Sequence, residues 1–146
     1  MRRKILLLEP NYKNKYPPMG LMKLATYYRK RGDDVRFFKG DLKVLAAQLL
    51  CEEFLAEIKE PKLGKYVSKL VEYIRTGKLG LLEAIPYFRN SNQETVMRQY
   101  RRNFREGRFP QFDVVGVTTL FTFYWRETID TINYAKRFCS ESGRVI

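Results

Sequence analysis

The sequence predicts a doubly wound α/β domain, and three observations carry that prediction. Residues 4–21, KILLLEPNYKNKYPPMGL, lead an apolar run through a polar, proline-rich loop into a helix start. Residues 112–129, FDVVGVTTLFTFYWRETI, repeat the plan with Asp113, the apolar run Val114–Val117, a threonine-rich loop and a helical pattern. The first of these segments opens a strand–helix–strand unit over 5–38, whose crossover is right-handed in nearly all parallel sheets. Together they give a Rossmann-like (flavodoxin-like) open parallel sheet with helices on both faces. In such sheets ligands sit outside the carboxyl ends of the strands, where the strand order reverses. The two strand-to-helix turns are where a ligand is expected.

Taken in order, Ile5–Glu9 is a short apolar run closed by Pro10, the pattern of a strand buried on both faces. Pro17-Pro18 then precedes Met19, Leu21, Met22, Leu24, Ala25 and Tyr28 at helical spacing. Proline suits the first turn of a helix, where its missing N–H has no partner in any case. Arg29-Lys30-Arg31 favours the negative end of the helix dipole, and Gly32 supplies the stop. Val35–Phe38 reads as the second strand.

Residues 42–111 read as a mostly helical insertion. Leu42, Leu45, Ala46, Leu49, Leu50, Phe54 and Ile58 share one face, stopped by Pro61. Tyr66, Val67, Leu70, Tyr73 and Ile74 form a second pattern ending near Gly77, and Gly77-Lys78-Leu79-Gly80 reads as a turn. Ser91-x-x-Glu94 is a capping box. The helix it opens carries Met97, Tyr100 and Phe104 on one side and stops at Gly107 and Pro110. Val114–Thr118 is the third strand. Ile129, Ile132, Ala135, Lys136 and Cys139 then mark a helix face, closed by Ser142-Gly143, and Arg144-Val145-Ile146 opens a fourth strand. Buried strands usually have about 5–6 residues, so the expectation is a chain truncated in its fourth strand, with core 1–41 and 112–146.

The 146 residues, 45% hydrophobic and 30% charged, suit one globular domain. No apolar run approaches the roughly 18–20 residues of a transmembrane helix. Met1–Lys4 followed by Ile5–Leu8 falls short of the about 7–15 apolar residues of a secretion signal. The expectation is a cytoplasmic protein with no membrane partner. The net charge is +12, with eleven basic and four acidic residues in 1–41, thirteen and eight in 42–111, and four of each in 112–146. Such a surface attracts nucleic acid, anionic lipid or acidic proteins.

There is no histidine, which excludes Ser-His-Asp and Cys-His catalysis and histidine metal ligands within this chain. Cys51 and Cys139, each inside a helical apolar pattern and without a C-x-x-C, read as buried structural thiols. The residues around Gly77 lack the G-x-x-x-x-G-K-[ST] phosphate loop, and no G-x-G-x-x-G follows the first strand. A phosphoacceptor site would want clustered acids, and only Glu9 and Asp41 are candidates. Arg98, Arg101, Arg102 and Arg105 follow i, i+3, i+4, i+7 spacing and make a cationic stripe, roughly a third of a turn from Met97, Tyr100 and Phe104. That stripe is either a solvated face or a contact for nucleic acid or an acidic partner. Lys59, Lys62, Lys65 and Lys69 read as surface.

The segments ILLLEPNY, YPPMGLMKLATYYRKRGDDVRFFKGD, FDVVGVTTLFTFYWRETIDTINYAKRF and GRVI resemble the N-terminal cobalamin-binding-like (B12-binding) domain of radical S-adenosylmethionine (radical SAM) proteins. The likeness covers 1–41 and 112–146. In that family the first strand leads into Tyr-Pro-Pro-x-Gly-Leu, here Tyr16–Leu21, and the third reads Asp-hydrophobic-hydrophobic-Gly-hydrophobic-Ser/Thr, here Asp113–Thr118. The resemblance implies cobalamin contacts from Gly116, Thr118, Leu120 and Thr122, which match Gly-x-Ser-x-Leu-x-Thr, with Thr119 beside them and Asn11 and Tyr12 after the first strand. The family's Asp-x-His-x-x-Gly motif is absent, since Asn11-Tyr12-Lys13 stands in that loop, and the Gly-Gly turn expected after the fourth strand lies beyond Ile146. The resemblance also implies a downstream radical SAM catalytic domain, with S-adenosylmethionine and a four-iron–four-sulfur cluster on a C-x3-C-x2-C run that this chain lacks.

The same residues have plainer readings. Thr118, Thr119 and Thr122 are good caps for the helix that follows. Phe121, Phe123, Tyr124 and Trp125 either stack on a flat cofactor or pack against a neighbouring domain. Pro17-Pro18-Met19-Gly20 is also a structural way into a helix.

Overall fold

The computed structural model of this protein describes residues 2–9, 19–89, 93–117 and 121–146. In chain order its elements are β1 (Lys4–Glu9), α1 (Met19–Lys30), β2 (Asp34–Lys39), α2 (Leu42–Ile58), α3 (Val67–Thr76), α4 (Leu79–Glu83), α5 (Gln93–Glu106), β3 (Phe112–Val117), α6 (Phe121–Ala135) and β4 (Cys139–Val145). Short 3-10 turns fall at Pro61–Tyr66, Pro86–Arg89 and Lys136–Phe138. The chain divides into two compact units, Met1–Leu42 with Gln111–Ile146, and Lys43–Pro110.

The first unit is an α/β, Rossmann-like open sheet of four parallel strands in the order β2-β1-β3-β4. Its centre is β1, where Ile5, Leu6, Leu7 and Leu8 are all fully buried. Ile5 and Leu7 pack with Val114 and with Leu21 and Ala25 of α1, flanked by Leu24, Tyr28, Val35 and Phe37. Side chains alternate along a strand, so Leu6, Leu8 and Val115 face the other way, and they too are fully buried. The step from β1 to β2 runs opposite to the step from β3 to β4. Right-handed crossovers therefore put α1 and α6 on opposite faces.

Leu7 and Gly116 are register partners across β1 and β3. A Cβ on Gly116 would stand 2.8 Å from Leu7 Cδ2, so the Leu7 side chain occupies the space an alanine would need. At the amino edge, two aspartates hold the start of β1. Asp33 Oδ1 accepts from the Arg3 N–H at 3.2 Å, and Asp113 Oδ2 accepts from the Lys4 N–H at 2.8 Å. The Arg3 guanidinium lies 3.5 Å from Asp33 Oδ2 and over the Tyr28 ring. Burial works to raise the Asp33 pKa, but the hydrogen bonds and charge of Arg3 outweigh it and hold the carboxyl below its ordinary value.

Three expectations are corrected in this unit, the first being the start of the fourth strand, which is Cys139 and not Arg144. Cys139 is not on a helix: α6 ends at Ala135, a 3-10 turn follows, and Cys139 opens β4 opposite Phe112. Phe138, fully buried, extends the apolar spacing past the helix end, which is why the sequence reads as continuous helix. Ser142-Gly143 lies within β4, in an irregularity between the Phe112–Cys139 and Val114–Arg144 pairs. There a Cβ on Gly143 would meet the Asp113 carbonyl oxygen at 2.5 Å; strand pairing, rather than local propensity, decides this segment.

The second unit is mostly helical. Phe54 of α2 stacks on Phe88 and meets Tyr100 edge-on, and Leu63, Leu70, Ile74, Leu82, Ile85 and Met97 of the same unit are also buried. Leu79 and Gly80 begin the one-turn helix α4 instead of completing a turn. Ser91, the expected capping residue, lies outside the described residues. Gly107, at φ +74°, ends α5 with its own N–H bonded to Phe104 O and that of Arg108 to Asn103 O, the two bonds of a Schellman stop.

Gly116→Ala should destabilise the protein by about 1–3 kcal/mol through overpacking. Leu7→Ala should cost about 2–5 kcal/mol, and the double variant should be less unstable than the sum, by about 1 kcal/mol or more in urea unfolding. Full additivity would show that the two residues do not compete for space. Because Asp33 has a depressed folded-state pKa, its contribution is complete above the unfolded carboxyl value of about 4 and is lost as pH falls through the folded value. Asp33→Asn should therefore be less stable than wild type at neutral pH, the gap closing as pH drops below about 4.

Candidate functional site

The strand order reverses between β1 and β3, which makes the carboxyl end of that pair the ligand position of an open α/β sheet. Leu8 and Val117 are register partners there, so the segments leaving the two strands start side by side. Asn11, Tyr12, Thr118, Thr119 and Leu120 lie outside the described residues. Thr122 is the second residue of α6, and Phe121, Phe123, Tyr124 and Trp125 share its first turns. Gly116 is buried within β3, and its missing side chain is accounted for by Leu7. Asp113, likewise part of the quoted motif, is engaged at the other end of the sheet with the β1 backbone.

The edge also carries Glu9, which sequence reading weighed only as a phosphoacceptor acid. It ends β1 with its side chain 2% exposed, and Lys39 Nζ stands 3.7 Å from its Oε1. The next residue after β2, Gly40, donates its N–H to the Glu9 carbonyl at 3.3 Å. The register pair Glu9–Lys39 explains why a carboxylate closes an otherwise apolar strand. A charge taken out of water needs a partner, and the neighbouring strand supplies one. The signal in the sequence was an acidic residue at the end of one strand and a lysine at the end of the next.

The four arginines named from sequence all lie on α5, which is held by its opposite face. Met97 and Tyr100 are buried, and the Tyr100 hydroxyl donates to Glu57 Oε2 at 2.5 Å. Burial and that bond push the phenol well above its ordinary pKa. On the outer face Arg98, Arg101, Arg102 and Arg105, with Glu106, line an open groove of about 470 Å³.

The four are not equivalent. Arg101 Nη1 donates to the carbonyls of Ile74 and Arg75, at 3.0 Å each, covering the last turn of α3 where carbonyls lack helical partners. Its Nε would stand 2.8 Å from a Cβ on Gly77, and its guanidinium lies over the Phe104 ring. Burial, then the neighbouring Arg105 charge, draws its pKa down. Arg98 makes an exposed ion pair with Glu94, one turn earlier, at 2.8 Å, a kind of contact worth about 0.3–0.5 kcal/mol. Among the described residues, no hydrogen bond or ion pair engages Arg102 or Arg105.

A second open groove, about 450 Å³, is lined by Glu60, Lys62, Leu63, Lys65, Tyr66, Pro86 and Tyr87. Lys59, Lys62, Lys65 and Lys69 are exposed. The Cys51 thiol is pushed up to about 12, first by burial and then by Glu52, so it stays protonated at neutral pH and is a poor nucleophile. Cys139 is half-buried. Among the described residues no three His, Cys, Asp or Glu side chains gather as metal ligands, and no helix is long and apolar enough to cross a membrane. No family model, curated protein or solved structure matches the chain.

Arg101→Ala removes two charge-assisted bonds and should destabilise the helical unit by about 1–3 kcal/mol. Arg102→Ala should stay within about 0.5 kcal/mol of wild type in the same denaturation experiment. Equal effects at the two positions would refute the division of roles.

Proposed function

We propose that this chain is a cobalamin-binding-like domain of a radical S-adenosylmethionine protein. In this reading it holds cobalamin, or covers substrate, at the carboxyl end of β1 and β3. An iron–sulfur and S-adenosylmethionine catalytic domain would lie downstream in the same cytoplasmic parent protein. One observation carries the reading. The two motif-bearing segments, 10–18 and 118–122, leave adjacent register-paired strands at the reversal point of a β2-β1-β3-β4 sheet. The donor set fits a large neutral ligand rich in amide groups. Thr118, Thr119, Thr122, Asn11 and Tyr12 bring hydroxyl and amide groups that donate and accept without adding charge. With no histidine in the chain, the protein would supply no imidazole to the cobalt. Gly116 and Asp113 then serve the sheet, and ligand contact falls to the residues after them.

A second reading has its own observation. The +12 charge and the groove of α5 arginines support a basic module that contacts nucleic acid or an acidic protein. Equilibrium dialysis of the whole chain against hydroxocobalamin, with the retained corrinoid quantified by its absorbance, separates the two. Cobalamin held by packing and neutral hydrogen bonds should bind with little change between low and moderate salt. Thr118→Val combined with Thr122→Val should weaken it about tenfold, close to one lost hydrogen bond's worth. No saturable binding up to about 1 mM, a free energy near −4 kcal/mol, would sink the cobalamin reading.

A further inference from the structure

We propose that the α5 groove is a binding site for a compact polyphosphate, two or three linked phosphate groups, held by Arg98, Arg102 and Arg105 over Arg101. This site lies wholly within the helical unit and is independent of the cobalamin reading. The guanidinium fork matches phosphate oxygens two at a time. Positions 98 to 105 span about 10 Å along the helix axis, the scale of a short phosphate chain rather than a long one.

Arg101 has a different task from the other three. The last turn of α3 ends in carbonyls that would repel an anion, and Arg101 covers two of them. The groove is thereby made tolerant of negative charge beside a helix end that would otherwise oppose it. Arg102 and Arg105 are exposed, and among the described residues neither has a hydrogen bond or ion pair that an anion would have to displace. Arg98 would exchange an exposed pair with Glu94, a contact weak enough to give up.

Carboxylates set the length of the ligand. Glu94 stands one turn before Arg98, and Glu106, paired with Arg108 at 3.2 Å, lines the far end. An extended phosphate backbone would have to pass both. Among the described residues the groove offers no free ring for base stacking either, because Tyr100 is buried and Phe104 is in contact with the Arg101 guanidinium and with Phe109. Nucleic acid would keep its electrostatic attraction but lose the aromatic contacts that single-strand binders use. A compact anion suits the groove better.

The phosphates can come from inorganic polyphosphate or from a nucleotide, and calorimetric titration of the whole chain with inorganic tripolyphosphate and with ATP distinguishes them. Saturable tripolyphosphate binding is expected, weakened about tenfold by Arg102→Ala or Arg105→Ala and partly restored by lysine at the same position. The melting temperature of these variants should match wild type, and their cobalamin binding should not change. ATP binding more than about tenfold tighter would identify a nucleotide as the source; equal affinity would identify the phosphates alone. The proposal is overturned if tripolyphosphate does not bind, or if the two alanine variants bind it as wild type does. It is also overturned if a single-stranded oligonucleotide of about 20 nucleotides or an acidic peptide binds at the arginines and tripolyphosphate does not displace it.

Discussion

The fold depends on how closely β1 can lie beside β3. Both faces of β1 are buried and both edges are hydrogen-bonded, so each neighbour must fit it without room to relax. Leu7 projects into the one place on β3 where no side chain stands, at Gly116. At the amino end Asp33, just before β2, and Asp113, within β3, accept from the Arg3 and Lys4 N–H groups where the chain enters β1. Interiors are packed like crystals and do not deform smoothly. Fixing one end and the middle of β1 therefore fixes its carboxyl end, where the sheet's strand order turns around.

The strands and helices whose burial is simple could be read from sequence. Ile5–Leu8 is an uninterrupted apolar run because both faces are covered, and α1 shows its stripe, its basic last turn and its Gly32 stop without outside help. The pattern fails where a contact far along the chain decides. Cys139 continues the spacing of Ile129, Ile132 and Ala135, yet pairing with Phe112 makes it a strand. Nothing in Ser140–Gly143 reads as β; pairing with the neighbouring strand decides the segment, and glycine at 143 leaves free the space beside the Asp113 carbonyl that a Cβ would need. Leu79 and Gly80 look like a turn because α4 is too short to show a period.

The candidate sites divide in the same way. The spacing of the four arginines places them on one helix face, and they do line one groove. The spacing is silent on which of them is engaged elsewhere, because the partners of Arg101 lie 26 and 27 positions back in the chain. Gly116 and Asp113 show the reverse difficulty. Both belong to a motif associated with ligand binding, and both have sufficient structural reasons to be what they are. Glu9 was visible as a charge at a strand end, but its burial follows only from the register that sets Lys39 beside it.

The distribution of carboxylates bears on why so much positive charge is carried. Glu72 with Arg75, Glu94 with Arg98 and Glu106 with Arg108 are local and exposed, and such pairs each contribute only about 0–1 kcal/mol. They leave the net +12 in place, and a net charge of that size works against compactness through self-repulsion. A ligand that binds only the folded state offsets such a cost by mass action, by about 2.7 kcal/mol at a hundred times its dissociation constant. An anion on α5 would do so in the unit where basic residues outnumber acidic ones by thirteen to eight. It would act beside the arginine that already ties α5 to the end of α3. Binding and folding of the helical unit are then coupled through one helix, with Arg101 holding its position and its outward neighbours meeting the ligand.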